Sequence, residues 1–322
     1  MIGAVKLEQD PTGSEPADNR RRMRRTSVGE TSIQLEMMIY KDEFSDRQPL
    51  VIINSIDFPM PPSVAFCEKM WAAGYQVIFF RRPGFGFTPS LPNALMSKAE
   101  IAKLAPVATE AALFAMAFQS LGLKNVILVG LGTSNSICQR LSQLCPEVQF
   151  TVYANPLFHP GIWGVIRPAW LKRMIRQTIL SKSGLKIAVR GLRAILRRDP
   201  LWFYQQFAQK SLGDQAYIEA NKGDFRKAGT FLQYTAPKVF FYELKTALVV
   251  DTKWNPDWFT NNRAMILSGN ESTEKWKSSI SSEADRLGLP IVFADSGDLF
   301  VPYASPDTLL KLLETHSKVA TG

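Results

Sequence analysis

The stretch Val126-Ile127-Leu128-Val129-Gly130-Leu131-Gly132-Thr133-Ser134-Asn135 decides how the rest of the chain is read. Its first half is an apolar run of strand length, and beyond Asn135 the residues Ile137, Leu141 and Leu144 recur at helical spacing. That order is buried strand, glycine-marked turn, helix. In a parallel sheet such a turn brings the strand's carboxyl end and the helix's first free N–H groups to one point, where α/β proteins place their chemistry. The tip of this turn falls on Gly132, which has no side chain to react.

Outward from the turn, βα alternation continues in both directions. Ile33, Leu35, Met37 and Ile39 alternate as in a half-buried strand, and Leu50 to Ile53 is a continuous apolar run suited to a strand covered on both faces. A helix is expected from about Pro62 with Gly74 closing it, then a strand over Tyr75 to Phe80, a rigid loop over Arg82 to Ser90, and a long helix over Lys98 to Leu121. After the turn, Val148 to Ala154 reads as a strand. Arg263 to Ser268 and Pro290 to Ala294 are further strands, with a helix over Thr273 to Leu287 between them. A last helix is announced by Ser305 as N-cap, Pro306 at its first position and Asp307 in its first turn. Residues 157–260 break this rhythm with helical, basic and aromatic segments. Strands alternating with helices imply a mainly parallel sheet with right-handed crossovers, and the irregular segment is then an insertion over the carboxyl ends of the strands.

The chain has 322 residues, 46% hydrophobic and 21% charged, which is ordinary for a globular protein with a sizeable core. No run approaches the ~18 apolar residues of a membrane-spanning helix, and the first thirty residues hold no signal-peptide core. Cys67, Cys138 and Cys145 have no paired or metal-type spacing, so a reducing cytoplasm is the expected compartment. The two histidines, His159 and His316, stand far apart with no cysteine or carboxylate cluster beside them, so no metal is expected. Residues 1–25, with Pro11, Gly13, Pro16 and an arginine cluster from Arg20 to Arg25, read as a disordered basic tail. The short string Arg24-Arg25-Thr26-Ser27-Val28 suits a basophilic kinase, a match too common to carry weight.

From about residue 30 to 316 the order of elements resembles the α/β-hydrolase superfamily, and three local features carry the likeness. Pro83-Gly84-Phe85-Gly86 followed by Thr88 looks like the family's loop after the fourth strand. Leu121-Gly122-Leu123 before Val126 looks like the approach to the nucleophile elbow, and Ser296-Gly297-Asp298 before Pro302 looks like the loop that carries the histidine. The resemblance implies a core of residues 26–156 and 261–322, with residues 157–260 as a helical cap.

The resemblance also implies a triad of nucleophile, histidine and carboxylate, because a serine hydroxyl is weakly nucleophilic until a base activates it. In the elbow G-x-S-x-G the nucleophile is the middle residue, and here that place is Gly132. The histidine position holds Asp298, and the acid position falls on Asn270 or Glu271. Loss of nucleophile and base together removes the mechanism, since an oxyanion hole only stabilises charge that another group creates. The family includes branches without catalysis, N-myc downstream-regulated proteins among them. The expectation is a degenerate triad at Gly132, Glu271 and Asp298.

Other readings compete. Gly132-Thr133-Ser134-Asn135-Ser136 has Gly-x-Ser-x-Ser form, which makes Ser134 the fallback nucleophile of an ester hydrolase. Otherwise Thr133, Ser134 and Asn135 satisfy free N–H groups at the helix start. Asp298 could act on water with Glu271 or Asp295 without a covalent step. The dinucleotide fingerprint is only brushed, because Asn135 stands where its third glycine belongs and Ala154-Asn155 where a ribose-binding carboxylate is wanted, so no cofactor is expected. His159, between Phe158 and Pro160, reads as a hinge or surface residue, and His316 as a solvated side chain.

The net charge of +9 is unevenly spread. Lys186, Arg190, Arg193 and Arg197 recur at steps of four, three and four and line one face of a helix. Leu185, Ala188, Leu192, Ile195 and Leu196 share the other side. Lys172, Arg173 and Arg176 repeat the theme near Trp163 and Trp170. Such a face is either the solvated outside of the insertion or a surface for an anionic membrane or an acidic protein. No nucleic-acid motif accompanies the charge, so nucleic acid is not the expected partner. The sequence therefore predicts a non-catalytic protein that binds a small apolar ligand or a partner in a cleft under residues 157–260. Ser55, Ile56, Leu131, Gly132, Thr133 and Asp298 are its expected lining. Association with the membrane periphery is the alternative for the basic face, and nothing in the sequence fixes an oligomeric state.

Overall fold

The structure is a computed structural model, and it describes residues 19–28, 33–41, 45–86, 88, 105–156, 168–240, 243 and 263–320. Eight strands form one sheet: β1 Met23–Ser27, β2 Gln34–Ile39, β3 Gln48–Ile53, β4 Tyr75–Phe80, β5 Val126–Leu131, β6 Val148–Ala154, β7 Ala264–Gly269 and β8 Ile291–Ala294. Their spatial order is β1-β2-β4-β3-β5-β6-β7-β8. The β1–β2 and β2–β4 pairs are antiparallel and the remaining pairs parallel. The flanking helices are α1 Val64–Ala72, α2 Ala105–Ser120, α3 Asn135–Leu144, α4 Ala169–Leu180, α5 Lys182–Arg198 and α6 Pro200–Phe207. They continue as α7 Leu212–Ala220, α8 Lys222–Tyr234, α9 Glu274–Leu287, α10 Val301–Ala304 and α11 Pro306–Ala320.

The two-residue period of a strand divides the core. Leu50, Ile52, Ile127 and Val129 face one hydrophobic cluster, and Val51, Ile53, Val126 and Leu128 face the other. Both clusters exclude water from the central strands, which is why those strands read as unbroken apolar runs. Register then gathers the loops that matter. Ile53 pairs with both Phe80 and Gly130, Leu131 with Ala154, and Gly269 with Ala294, so the segments after all these strands emerge along one edge of the sheet.

Two expectations are corrected. Residues 19–25 are not tail. Met23–Ser27 is an edge strand whose backbone pairs with β2, Arg20 pairs with Glu68, and Arg21 reaches Asp224 at 2.7 Å and Pro61 O at 2.9 Å. An edge strand of mostly polar residues carries no apolar alternation, so its sequence looks like tail. Residues 1–18 lie outside the described residues. The long helix is described over Ala105–Ser120, and residues 89–104 lie outside. Ser305 does not cap α11 with its hydroxyl, which instead donates to Ser296 O at 2.8 Å and accepts from Ser296 N–H at 3.2 Å.

Between β6 and β7 the described chain is helical, α4 to α8, and it touches the loops at the carboxyl edge. Tyr204 of α6 donates to Asp57 O, beyond β3, at 2.6 Å. Residues 157–167, with His159 and Trp163, and residues 244–262 lie outside the described residues. No helix among the described residues is long and apolar enough to cross a membrane.

Candidate functional site at the strand ends

Strand β5 delivers the chain to Gly132, where φ is +52°. A left-handed backbone at the first residue after the strand is the strained geometry of a strand-to-helix elbow, and it fixes Gly132 at the tip. A Cβ built there would stand 3.3 Å from Ser55 Oγ. Ser134 sits two residues into the turn and is wholly buried. Its Oγ accepts from Leu131 N–H at 2.8 Å and lies 2.6 Å from Ile53 O and 2.9 Å from Leu131 O, one of which takes its proton. It therefore staples the ends of β3 and β5, with its proton directed at a main-chain carbonyl. Asn135 likewise ties Gly132 O at 2.8 Å to Ala154 O at 3.0 Å. Neither side chain caps the first N–H groups of α3 as the sequence suggested.

Thr133 turns the other way. Its Oγ1 is 3.1 Å from Ser55 Oγ, accepts from Ile56 N–H at 3.4 Å and accepts from Arg82 Nη1 at 3.3 Å. Arg82, at the end of β4, is 8% exposed and holds two carboxylates in bidentate pairs. Nε meets Glu110 Oε1 at 2.7 Å, and Nη1 and Nη2 meet Glu243 at 2.9 and 2.7 Å. Burial works against the guanidinium charge, and the carboxylates of Glu110 and Glu243 outweigh it, holding Arg82 well above its usual range. Burial pushes the Glu110 carboxyl up, with Arg82 opposing. Asp57 is also pushed up by burial, with a hydrogen bond from Ser55 opposing, and its Oδ1 is sealed from solvent without a partner.

A second constellation lies after β7 and β8. Glu271 Oε2 accepts from Ser211 Oγ at 2.6 Å, Gly297 N–H at 2.8 Å and Gly213 N–H at 2.9 Å. Burial opposes its charge, and these donors outweigh it, lowering its pKa. Asp298 is bonded to Ser272 Oγ, and burial raises its pKa. Asp214 of α7 accepts from the N–H groups of Asp298, Leu299 and Phe300 at 3.1, 2.6 and 3.1 Å. Burial nevertheless pushes its pKa up to about 6.

Of the expected lining, the structure brings Ser55, Ile56, Gly132 and Thr133 together. Leu131 is 3% exposed, its side chain part of the core. Among the described residues no hydrogen bond joins Asp298 to Gly132, Thr133 or Ser55. Asp295 is exposed, Glu271 Oε2 is engaged by Ser211, Gly213 and Gly297, and Asp298 Oδ1 by Ser272. Among the described residues no group of three or more His, Cys, Asp or Glu is placed to hold a metal.

The sequence reading missed Arg82, Glu110, Glu243, Asp57 and Asp214. Two signals were present: Arg81-Arg82 directly follows a buried strand, and Glu110 is the one charged residue in the helix Ala105–Ser120. On α5, Lys186, Arg190 and Arg197 are exposed. Arg193 is half-buried and donates to Thr235 O at 2.9 Å, so it leaves the expected row. Leu185, Val189 and Leu196 form the buried stripe of that helix, whereas Ala188 and Ile195 lie on its exposed side, because the 3.6-residue period carries them past the edge of the stripe.

No family model and no curated protein matches the chain. Solved structures do. A bromoperoxidase from Bacillus anthracis is 16% identical with a TM-score of 0.56, covering 92% of this chain and 99% of its own. An α/β hydrolase fold protein from Nakamurella multipartita is 17% identical with a TM-score of 0.54, covering 90% of this chain and 97% of its own. An enol-lactonase from Burkholderia xenovorans LB400 is 12% identical with a TM-score of 0.57, covering 90% and 98%. Identities this low speak to architecture alone. With its eight-stranded, mostly parallel sheet, its flanking helices and these neighbours, the chain is a protein of the α/β-hydrolase fold.

Proposed function

We propose that this protein does not hydrolyse esters and works as a binding protein, taking a small apolar ligand in the cleft between the strand ends and a cap formed by residues 157–260. The observation that carries the reading is the contact of Thr133 Oγ1 with Ile56 N–H at 3.4 Å. In hydrolases of this fold the oxyanion is received by the N–H after the nucleophile and by one from the loop after the third strand. Here a threonine hydroxyl of the protein itself engages the second donor, and Gly132 offers nothing to attack with. An occupied donor gives no differential stabilisation to a transition state. An apolar ligand suits the apolar surroundings of the turn: Phe58, Phe225 and Phe300 pack ring to ring at 4.5 to 5.2 Å with Tyr204 in the buried core that joins the helical segment to the strand ends, and Ser55 and Asp57 are the polar groups beside it.

The competing reading is an esterase using Ser134; an enol-lactonase and an esterase are among the structural neighbours, whose low identity speaks to the fold. Turnover separates the two. With 4-nitrophenyl butyrate the expected release of nitrophenol equals that of heat-denatured protein. A non-cleavable 4-nitrophenyl alkyl ether is expected to raise the melting temperature, by the equivalent of about 2.7 kcal/mol at a hundredfold excess over its Kd. Turnover that disappears in Ser134→Ala would overturn the proposal.

A further inference from the structure

From residue 148 to residue 198 the chain contains no Asp or Glu and ten Lys and Arg, more than the whole net charge of +9. The rest of the chain is therefore slightly acidic, and the positive charge of the molecule belongs to this one stretch. Its described part is α4 and α5, two helices that pack against each other across the single residue Ser181.

Charge is half of what these helices present. Trp170 is 65% exposed, Met174 49% and Ile187 67%. Among the described residues, eight of the nine large hydrophobic side chains left exposed fall between Trp170 and Tyr234, so the apolar surface collects on the helical segment rather than on the sheet core. On α4, Trp170, Arg173, Met174 and Gln177 share one exposed face at helical spacing. On α5, the exposed Ile187 stands beside the exposed cations Lys186, Arg190 and Arg197. Buried positions such as Leu185, Val189 and Leu196 anchor α5 to the protein, so the exposed side chains are surplus to folding.

An acidic protein would neutralise the arginines and leave tryptophan and isoleucine in water. A bilayer with anionic headgroups takes both, because its phosphates meet the cations while its acyl boundary receives the apolar side chains. No acidic residue in the stretch opposes that approach. We propose that the α4–α5 face docks on anionic membrane surfaces, with Trp170, Met174 and Ile187 entering the headgroup region and Lys186, Arg190 and Arg197 contacting lipid phosphate. This surface is separate from the Gly132 turn, and its occupancy does not depend on whether that turn is silent.

The test is co-sedimentation of the full chain with phosphatidylcholine vesicles with and without phosphatidylglycerol, at low and high salt. Binding is expected only to the anionic vesicles, and it fades with salt. The triple variant Lys186→Glu, Arg190→Glu, Arg197→Glu is expected to weaken it roughly 100-fold. The double variant Trp170→Ser, Ile187→Ser is expected to weaken it roughly tenfold, with little dependence on salt. These residues are exposed, and unchanged melting curves of both variants confirm that the fold is intact. The proposal is overturned by three results: no binding to anionic vesicles, equal binding to both compositions, or a double variant that binds as well as the wild type. The last result marks a purely electrostatic surface of the kind an acidic protein would use.

Discussion

Two carboxylate clusters stand where this fold keeps its chemistry, and they are neutralised by different means. At the elbow, Glu110 and Glu243 are held by one buried guanidinium, Arg82, which also reaches Thr133. At the loop after β8, Asp214 is held by backbone N–H groups of residues 298–300, and Glu271 by those of Gly213 and Gly297 together with the Ser211 hydroxyl. The first arrangement depends on a full charge that can be deleted by one substitution. The second is spread mostly over the main chain, so no single side-chain deletion removes it.

Deleting the guanidinium should have the largest effect. Arg82→Met leaves two carboxylates buried without their cation and is expected to cost about 3–5 kcal/mol in denaturant unfolding. The triple variant Arg82→Met, Glu110→Gln, Glu243→Gln should recover most of that loss, because no uncompensated charge remains. A single variant as stable as wild type would show that water already reaches Arg82's partners.

The loop cluster should instead reveal itself through pH. Burial raises Asp214 to about 6 in the folded protein, above the unfolded value of 3.8, so folding takes up a proton between these two values. Its contribution to stability is complete below the unfolded value and is lost as pH rises through the folded one. Across that window, wild type should lose stability of order 3 kcal/mol relative to Asp214→Asn, which has no carboxyl to titrate. A constant difference between the two proteins would contradict the assignment.

Close approach gives a third contrast. A Cβ at Gly213 would fall 1.9 Å from Ser296 Oγ and 2.7 Å from Gly297 N, so Gly213→Ala should cost about 1–3 kcal/mol by forcing α7 off the loop. At Gly132 the nearest atom is 3.3 Å away, and the cost of Gly132→Ala is set by its positive φ, about 1–2 kcal/mol. Thermal melts of the two variants should therefore rank Gly213→Ala at or below Gly132→Ala.

The same contrast explains what the sequence made legible. The central strands announced themselves because both faces are buried, and the glycine at the tip could be placed because strand, turn and helix are contiguous. The edge strand Met23–Ser27 was hidden because a strand with a solvated face needs few apolar residues. The Arg82 cluster was hidden for another reason. Its members come from the end of β4, from the middle of α2 and from residue 243, and only folding brings those positions together. A lone charge in an apolar helix, as at Glu110, is the trace such clusters leave. The basic row on α5 was read with one residue too many, since a half-buried arginine such as Arg193 keeps helical spacing while spending its guanidinium on Thr235.

The central claim is that the elbow has no reactive hydroxyl, and intact-protein mass after treatment with a fluorophosphonate probe tests it most directly. The account predicts an unchanged mass for the wild type and also for Gly132→Ser, because restoring an oxygen at the tip does not restore the base that would activate it. A stoichiometric adduct on the wild type, mapped to Ser134 or to any residue of the turn, would contradict it.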